Sequence, residues 1–389
     1  MTEGVYLAKT SANPSVDEVL SILSEGLMSL GGLRDIIRYG SRVLVKPNLG
    51  VPALPESARV TDPRVLEAVI LALCEAGAGE VIIGEASVVG FDTEEAFEVS
   101  GIREVAKRTG ASLVDLKKQS FVKIPVPNPL ALNHIYLSSV AMEADVIINV
   151  PKLKTIAATP ISVAMKNLKG LIPDQEKKRF HYTDLNACIV DLNKVARPAL
   201  TVVDGIIAHE MYEPKEINLL IAGRDPVAVD TVSCLIIECN PAKVQYLAEA
   251  ARLGLGIGTV EKIKVFGERI EDVSVPVETA PDSGSAFAAH FPEVIIEDGC
   301  ACSGCSGSLF MALKTARAKG LLTKADGVTF AIGKEASPRS SPDNTLYIGR
   351  CLRGFKDSLH YLDGCPFSFM QLVDYIEMRF QGRKKRDLE

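Results

Sequence analysis

The stretch Asp145-Val146-Ile147-Ile148-Asn149-Val150, followed at once by Pro151-Lys152-Leu153-Lys154, decides the fold. Val and Ile dominate its first half without alternating with polar residues. A strand of that kind is buried on both faces, as in the middle of a parallel sheet. Pro151 then interrupts it, and the chain turns polar.

The same pattern recurs outward in both directions. Upstream, Val5–Ala8, Arg42–Val45 and Glu80–Gly84 read as strands, and Leu113 begins another. Between them lie helical stretches. Ser15 opens one, with Glu18 completing an S-x-x-E capping box and Gly31-Gly32 stopping it. Thr61-Asp62-Pro63 caps a second, and Ala96–Gly110 reads as a third. Downstream, helices at Asp184–Val195, Val227–Glu238 and Lys243–Leu253 alternate with strands at Leu200–Val203, Leu219–Ala222 and Lys262–Phe266. Alternation of this length means βαβ units. The expected fold is α/β, with a largely parallel, doubly wound sheet carrying helices on both faces.

Pro281-Asp282-Ser283-Gly284-Ser285 breaks the alternation. The expected organisation is an α/β domain over 1–280, a linker over 281–294 and a smaller α/β domain over 295–389. In the last segment, helices are expected at Ser308–Lys319 and Phe369–Phe380, with strands at Val328–Ile332 and Leu346–Ile348.

Ligands of open parallel sheets bind beyond the carboxyl ends of the strands. Those ends are polar here. They carry Lys46-Pro47-Asn48, Glu85, Asn149 with Lys152 and Lys154, Asp204-Gly205, and Arg224-Asp225. Five such ends on one edge point to a cleft rich in both signs of charge. Lys46, Asn48, Asn149, Lys152, Lys154, Lys166 and Asn167 are the expected binding residues for an anionic small molecule. Glu85, Asp204 and His181 are the candidates for proton transfer. His181 is read in a loop and free to donate a proton; a surface or capping role fits the same setting. Gly254-Leu255-Gly256-Ile257-Gly258 follows a helix instead of a strand, so it reads as a turn and not as a dinucleotide fingerprint.

Five of the nine cysteines fall in the last quarter of the chain. Cys302 and Cys305 form a C-x-x-C. Cys351 follows a strand, and Cys365 sits in Gly364-Cys365-Pro366. All four are read in turns or at strand ends. A [4Fe–4S] cluster takes four thiolates, often with Pro after one of them. A Cys₄ zinc site uses the same ligands, usually as two close knuckles, which one pair and two singles match less well. A dithiol pair would leave Cys351 and Cys365 unexplained. Cys300 is a spare ligand or a bystander.

Composition bounds the partners. The net charge of −6 gives no footprint for nucleic acid. The basic run Arg383-Lys384-Lys385-Arg386 reads as a solvated helix end. No secretory leader pattern and no bilayer-spanning apolar stretch is found, so a cytoplasmic protein with no membrane partner is expected.

Val43–Asn48 (VLVKPN), Asn149–Thr155 (NVPKLKT), Ala164–Gly170 (AMKNLKG), His181 and Ala222–Asp230 (AGRDPVAVD) occur in one order over the first two-thirds of the chain. In these motifs the chain resembles the domain-of-unknown-function 362 family. The resemblance implies an α/β fold, often joined to an iron–sulfur module. This chain has Ile156 where members usually have His, and His209-Glu210-Met211-Tyr212 where many are rich in Gly and Pro. The tight C-x-x-C-x-x-C insert of two-cluster members is absent.

The expected function is that of an iron–sulfur oxidoreductase. Its cluster would pass electrons to an anion or a second cofactor at the sheet edge, with a redox partner protein supplying them. A flavin as second cofactor is left open. Two alternatives stand beside this: a non-redox lyase, isomerase or transferase with a structural cluster or zinc, and an electron carrier whose charged edge is a docking surface.

Overall fold

The computed structural model describes residues 4–280, 284–325, 327–337 and 340–381. Pro281, Asp282 and Ser283 of the expected linker and the basic run Arg383–Arg386 lie outside the described residues. The chain divides into two units. One comprises 1–155 and 161–279, the other 156–160 and 280–389.

In the larger unit, β1 (Gly4–Lys9) leads to α1 (Val16–Ser29), which opens on the Ser15 cap, whose side chain accepts from Glu18 N at 3.1 Å. β2 (Arg42–Pro47) is followed by α2 (Pro63–Glu75), and β3 (Glu80–Glu85) by α3 (Thr93–Val99) and α4 (Ile102–Thr109). Gly101, in the left-handed region, splits the single helix expected there. β4 (Ser112–Asp115) ends this run. β5 (Phe121–Pro125) and β6 (His134–Ser138) form a separate hairpin, and α5 (Ser139–Glu143) leads back to the main sheet. Next come β7 (Val146–Val150), β8 (Lys152–Thr155), α6 (Ala164–Asn167), α7 (Asp174–Thr183) and α8 (Leu185–Val195). β9 (Leu200–Glu210), β10 (Glu213–Gly223), α9 (Pro226–Ile236), α10 (Gln245–Arg252), β11 (Lys264–Gly267) and α11 (Ile270–Val273) complete the unit.

The main sheet runs β11-β1-β10-β9-β7-β2-β3-β4, with β8 pairing on β9 beyond Pro151. It is mostly parallel and flanked by helices. Val43, Val45, Ile83, Ile148 and Val202 pack on one face against Leu23 and Leu27 of α1 and Leu66, Val69 and Leu73 of α2. Leu44, Asn149, Thr201 and Val203 alternate with them and are also fully buried, so neither face of these strands meets solvent there.

Two expectations about strand ends are corrected. β10 is antiparallel to both β9 and β1, so Arg224-Asp225 falls on the edge opposite to Lys46, Glu85 and Asn149. Asp204 is not at a strand end either. β9 continues to Glu210, and Lys152 of β8 is registered with Asp204.

The smaller unit contains α12 (Gly284–His290), β12 (Ile295–Asp298), α13 (Ser303–Ala318), β13 (Thr329–Ile332), β14 (Thr345–Ile348), β15 (Tyr361–Leu362) and α14 (Phe369–Gln381). Part of the stretch expected as linker is therefore helical. The four strands form a wholly parallel sheet in sequence order. Phe291 and Phe310 are buried against each other, ring centroids 5.4 Å apart. Among the described residues no helix is long and apolar enough to cross a membrane.

Candidate functional site

β2 has β3 on one side and β7 on the other. The chain leaves β2 outward through β3 and β4, then returns to the far side through β7. That makes the gap beyond β2 and β7 the topological switch point, where open parallel sheets leave a crevice. The register pairs Lys46 with Asn149 and Pro47 with Val150 at this point.

Lys46 and Glu85, both buried, form an ion pair there at 2.7 Å. Lys46 Nζ also donates to Pro47 O (2.6 Å) and Asn167 Oδ1 (3.2 Å). Glu85 accepts from Leu49 N (3.0 Å) and Ala86 N (2.9 Å). Burial holds the Lys46 ammonium below its ordinary range, against the pull of Glu85. Three amides extend the network. Asn48 Nδ2 donates to Asn167 Oδ1 (3.0 Å), Asn167 Nδ2 to Asn149 Oδ1 (2.8 Å), and Asn149 Nδ2 to Ala164 O (2.9 Å). Gly170 backs this cluster. A Cβ there would stand 1.9 Å from Glu85 Oε1 and 2.4 Å from Lys46 Cε.

A second buried pair joins Lys152 to Asp204 at 2.8 Å. Asp204 also accepts from Asp62 N (2.7 Å) and Ile206 N (3.2 Å). Burial pushes Asp204 upward, while Lys152 opposes it. Glu85 and Asp204 thus spend their oxygens on ammonium groups and backbone amides. They hold lysines in place.

Lys154, Lys166 and Lys169 are held differently. Lys154 Nζ donates only to neutral oxygens, Asn48 Oδ1 (3.2 Å) and Arg59 O (3.4 Å). Burial, then Arg59, Lys152 and Lys46, bring it down to about 8. Burial, with Lys169 and Lys154 nearby, lowers Lys166 well below its usual range. Lys169 is brought down to about 7 by burial and by Lys177. Its Nζ lies 3.2 Å from His181 Nε2.

His181 is not in a loop. Asp174-Gln175-Glu176-Lys177-Lys178-Arg179 is a run of helix formers with acids in its first turn, and His181 lies in the last turn of α7. Burial, then Lys169 and Lys166, depress its basicity strongly. At neutral pH its ring is uncharged.

Several contributors escaped the sequence reading. Asp230, buried on α9, accepts from Ala164 N (2.6 Å) and Met165 N (3.1 Å), which fixes α6 and hence Lys166 and Asn167. Burial pushes it up to about 7. Its signal was an acid inside the apolar run Val227–Ile236. Thr61 accepts from Asn48 N (2.7 Å) and donates to Val150 O (2.8 Å). Lys169 lies within a quoted motif, three residues after Lys166. Lys177 donates to Ala86 O and Ser87 O, both at 2.8 Å. His209, buried beside Lys154, has its basicity lowered to about 3, chiefly by burial.

In the smaller unit, Cys302, Cys351 and Cys365 follow the carboxyl ends of β12, β14 and β15. Cys305 is in the first turn of α13 and buried, not in a turn or at a strand end. The Cys302 thiol is lowered to about 6 by its hydrogen bond with Cys305 and by the amides that open α13. Cys365 acts electrostatically on both Cys305 and Cys351, and Cys302 on Cys351. The four thiols therefore share one edge of the small sheet. Cys300 is turned aside, donating to Glu335 Oε2 at 3.1 Å from a left-handed backbone, φ 58°. Among the described residues no three of His, Cys, Asp and Glu already stand as a ligand set for a metal ion. The donor chemistry of the edge, four thiols, is that of an iron–sulfur or zinc site.

Comparison with known proteins extends this picture. A thylakoid-associated protein of Synechocystis sp. is 32% identical over 266 residues, covering 66% of this chain and 81% of that protein. Among solved structures, a Thermotoga maritima protein aligns with a TM-score of 0.38 and 12% identity, over 66% of this chain and 61% of that one. The lactate racemase apoprotein of Thermoanaerobacterium thermosaccharolyticum aligns with a TM-score of 0.43 and 11% identity, over 98% of this chain and 81% of that one. Residues 43–235, which hold every lysine of the switch-point edge, match the model of the domain of unknown function DUF362. The chain belongs to the DUF362 family.

Proposed function

We propose that the protein is an iron–sulfur oxidoreductase for an anionic small molecule, with the molecule held at the lysine-lined edge of the larger unit and a [4Fe–4S] cluster held by the smaller. The observation that carries this reading is the placement of Cys302, Cys305, Cys351 and Cys365 beyond one edge of a parallel sheet, near enough that Cys365 acts on Cys305 and Cys351, and Cys302 on Cys351. One pair and two single cysteines suit a cluster better than two zinc knuckles. A cluster bound there supplies one-electron transfer.

The lysine edge supports the substrate class. Lys154 and Lys169 each act on Lys166, and the hydrogen-bond partners of the two are neutral oxygens and a neutral imidazole. An arriving anion relieves that repulsion. Asn48 and Asn167 hold Lys154 and Lys46 in place. Glu85 and Asp204 act as positioning groups for Lys46 and Lys152, and the uncharged His181 ring is a hydrogen-bond partner of Lys169.

Purification without oxygen, with iron, sulfide and zinc analysis on one sample, tests the reading. About four irons and four sulfides per chain, with a visible band that dithionite bleaches, are expected. A colourless protein with one zinc overturns the redox function and makes the smaller unit a structural module.

A further inference from the structure

The lysines of the larger unit sort into two groups. Lys46, Lys152 and Lys177 each have a carboxylate oxygen within 3.1 Å. Lys169 has none within ion-pair distance among the described residues. Its neighbours are His181 Nε2 at 3.2 Å and the Phe180 ring, 5.7 Å from the ammonium to the centroid. Lys177 and His181 from α7, Lys166 from α6 and Cys188 from α8 are the titratable groups that act on it or on which it acts. None of these is a carboxylate. The residue as a whole is part-exposed, and its ammonium end is the part that burial strips of water.

An amine in such a place differs chemically from a surface lysine. Without an anion beside it, and with cations on two sides, it sheds its proton easily, and it is lowered to about 7. The uncharged His181 ring lies within hydrogen-bond distance of the amine, the donor of the pair being set by the ring's tautomer. A nucleophilic lysine is activated by this combination of desolvation and neighbouring positive charge.

We propose that Lys169 is the reacting amine of this site, and that the ligand is an anion bearing a carbonyl group, captured as an imine. The inference rests on the anionic-ligand reading above and names the chemistry of that ligand. The Lys169 nitrogen attacks the carbonyl carbon, forming a C–N bond while the carbonyl oxygen takes up a proton. The carbinolamine then loses that oxygen as water, with both hydrogens supplied by the amine, and a C=N bond remains. No electron is gained or lost. Lys154 and Lys166 seat the anionic group while the bond forms.

The full chain treated with pyridoxal 5′-phosphate and then borohydride tests this, with the labelled lysine located by mass spectrometry of the digest. At pH 7 an ordinary lysine is almost wholly protonated, so Lys169 is expected to react roughly a hundredfold faster than exposed lysines such as Lys107 and Lys118. Inorganic phosphate should slow it. Lys169→Arg should remove the fast reaction while keeping the circular dichroism spectrum. Labelling of Lys169 no faster than of Lys107 overturns the proposal, and needs no variant to be seen. A fast reaction that persists in Lys169→Arg at another lysine also overturns it. Fast labelling that phosphate does not slow supports the amine but overturns the anion. Metal analysis of the same sample keeps failure of the iron–sulfur reading distinct from failure of this one.

Discussion

The larger and the smaller sheet both set polar side chains beyond the carboxyl ends of parallel strands, and they treat them in opposite ways. In the larger unit Lys46, Glu85, Asn149 and Asn167 are buried and bonded to one another or to backbone. In the smaller unit Cys351 and Cys365 are exposed, and Cys302 shares a hydrogen bond with Cys305. A saturated network fixes geometry, because any displacement leaves a buried group without a partner. A set of thiols with few partners awaits something from outside. The same contrast operates inside the larger unit, between the paired lysines and Lys154 and Lys169. Function is read from the groups left over once the scaffold has satisfied itself.

Three experiments bear on that contrast. The largest effect is expected from Cys351→Ser. Bound iron should fall to near zero, while hydrogen-exchange protection of β2 and β3 stays unchanged; retained iron would remove Cys351 from the ligand set. Cys300→Ser, by contrast, should keep its iron, since that thiol faces Glu335. Next in size is Lys46→Ala, which strands the Glu85 carboxylate in the core. A loss of about 3–5 kcal/mol in urea unfolding is expected, and a loss no larger than that of a surface substitution would mean the pair is not part of the scaffold. The smallest is a pH effect at His209. Its folded basicity lies at about 3, below the unfolded value near ~6.5. The neutral ring therefore contributes stability that is present above pH ~6.5 and lost as pH falls toward 3. His209→Gln should flatten the acid limb of a stability–pH curve by about 1.4 kcal/mol per pH unit. An unaltered slope would place a charged imidazole in the folded protein.

Much of this was legible from the chain. The unalternating strands Val43–Val45 and Val146–Val150 announce a sheet covered on both faces, and the Ser15 cap and its helix form as their residues dictate. The lysine motifs lie at the switch-point edge of the larger sheet. What escaped had physical reasons. The β9–β10 hairpin turns on Met211 and Tyr212, at φ 46° and 81°, without the Asn-Gly or Asp-Gly that normally marks such a turn. Nothing local distinguishes those strands from crossover-linked ones, so Arg224 and Asp225 were assigned to the wrong edge. His181 was read as loop because the prolines and glycines before it mask a short polar helix. Cys305 entered a helix because Cys302 ends its strand-end loop at the cap position of α13. Asp230 acts across the fold, from α9 to the amides of α6, and no sequence spacing foretells that.

Gly170 carries a consequence for how this protein can change over generations. Its missing side chain is the space in which the Glu85 carboxylate and the Lys46 stem sit. The three positions, far apart in the chain, are therefore one inherited unit. A lineage that replaces the glycine must give up the acid and the lysine as well, and one that keeps the pair has no freedom at 170.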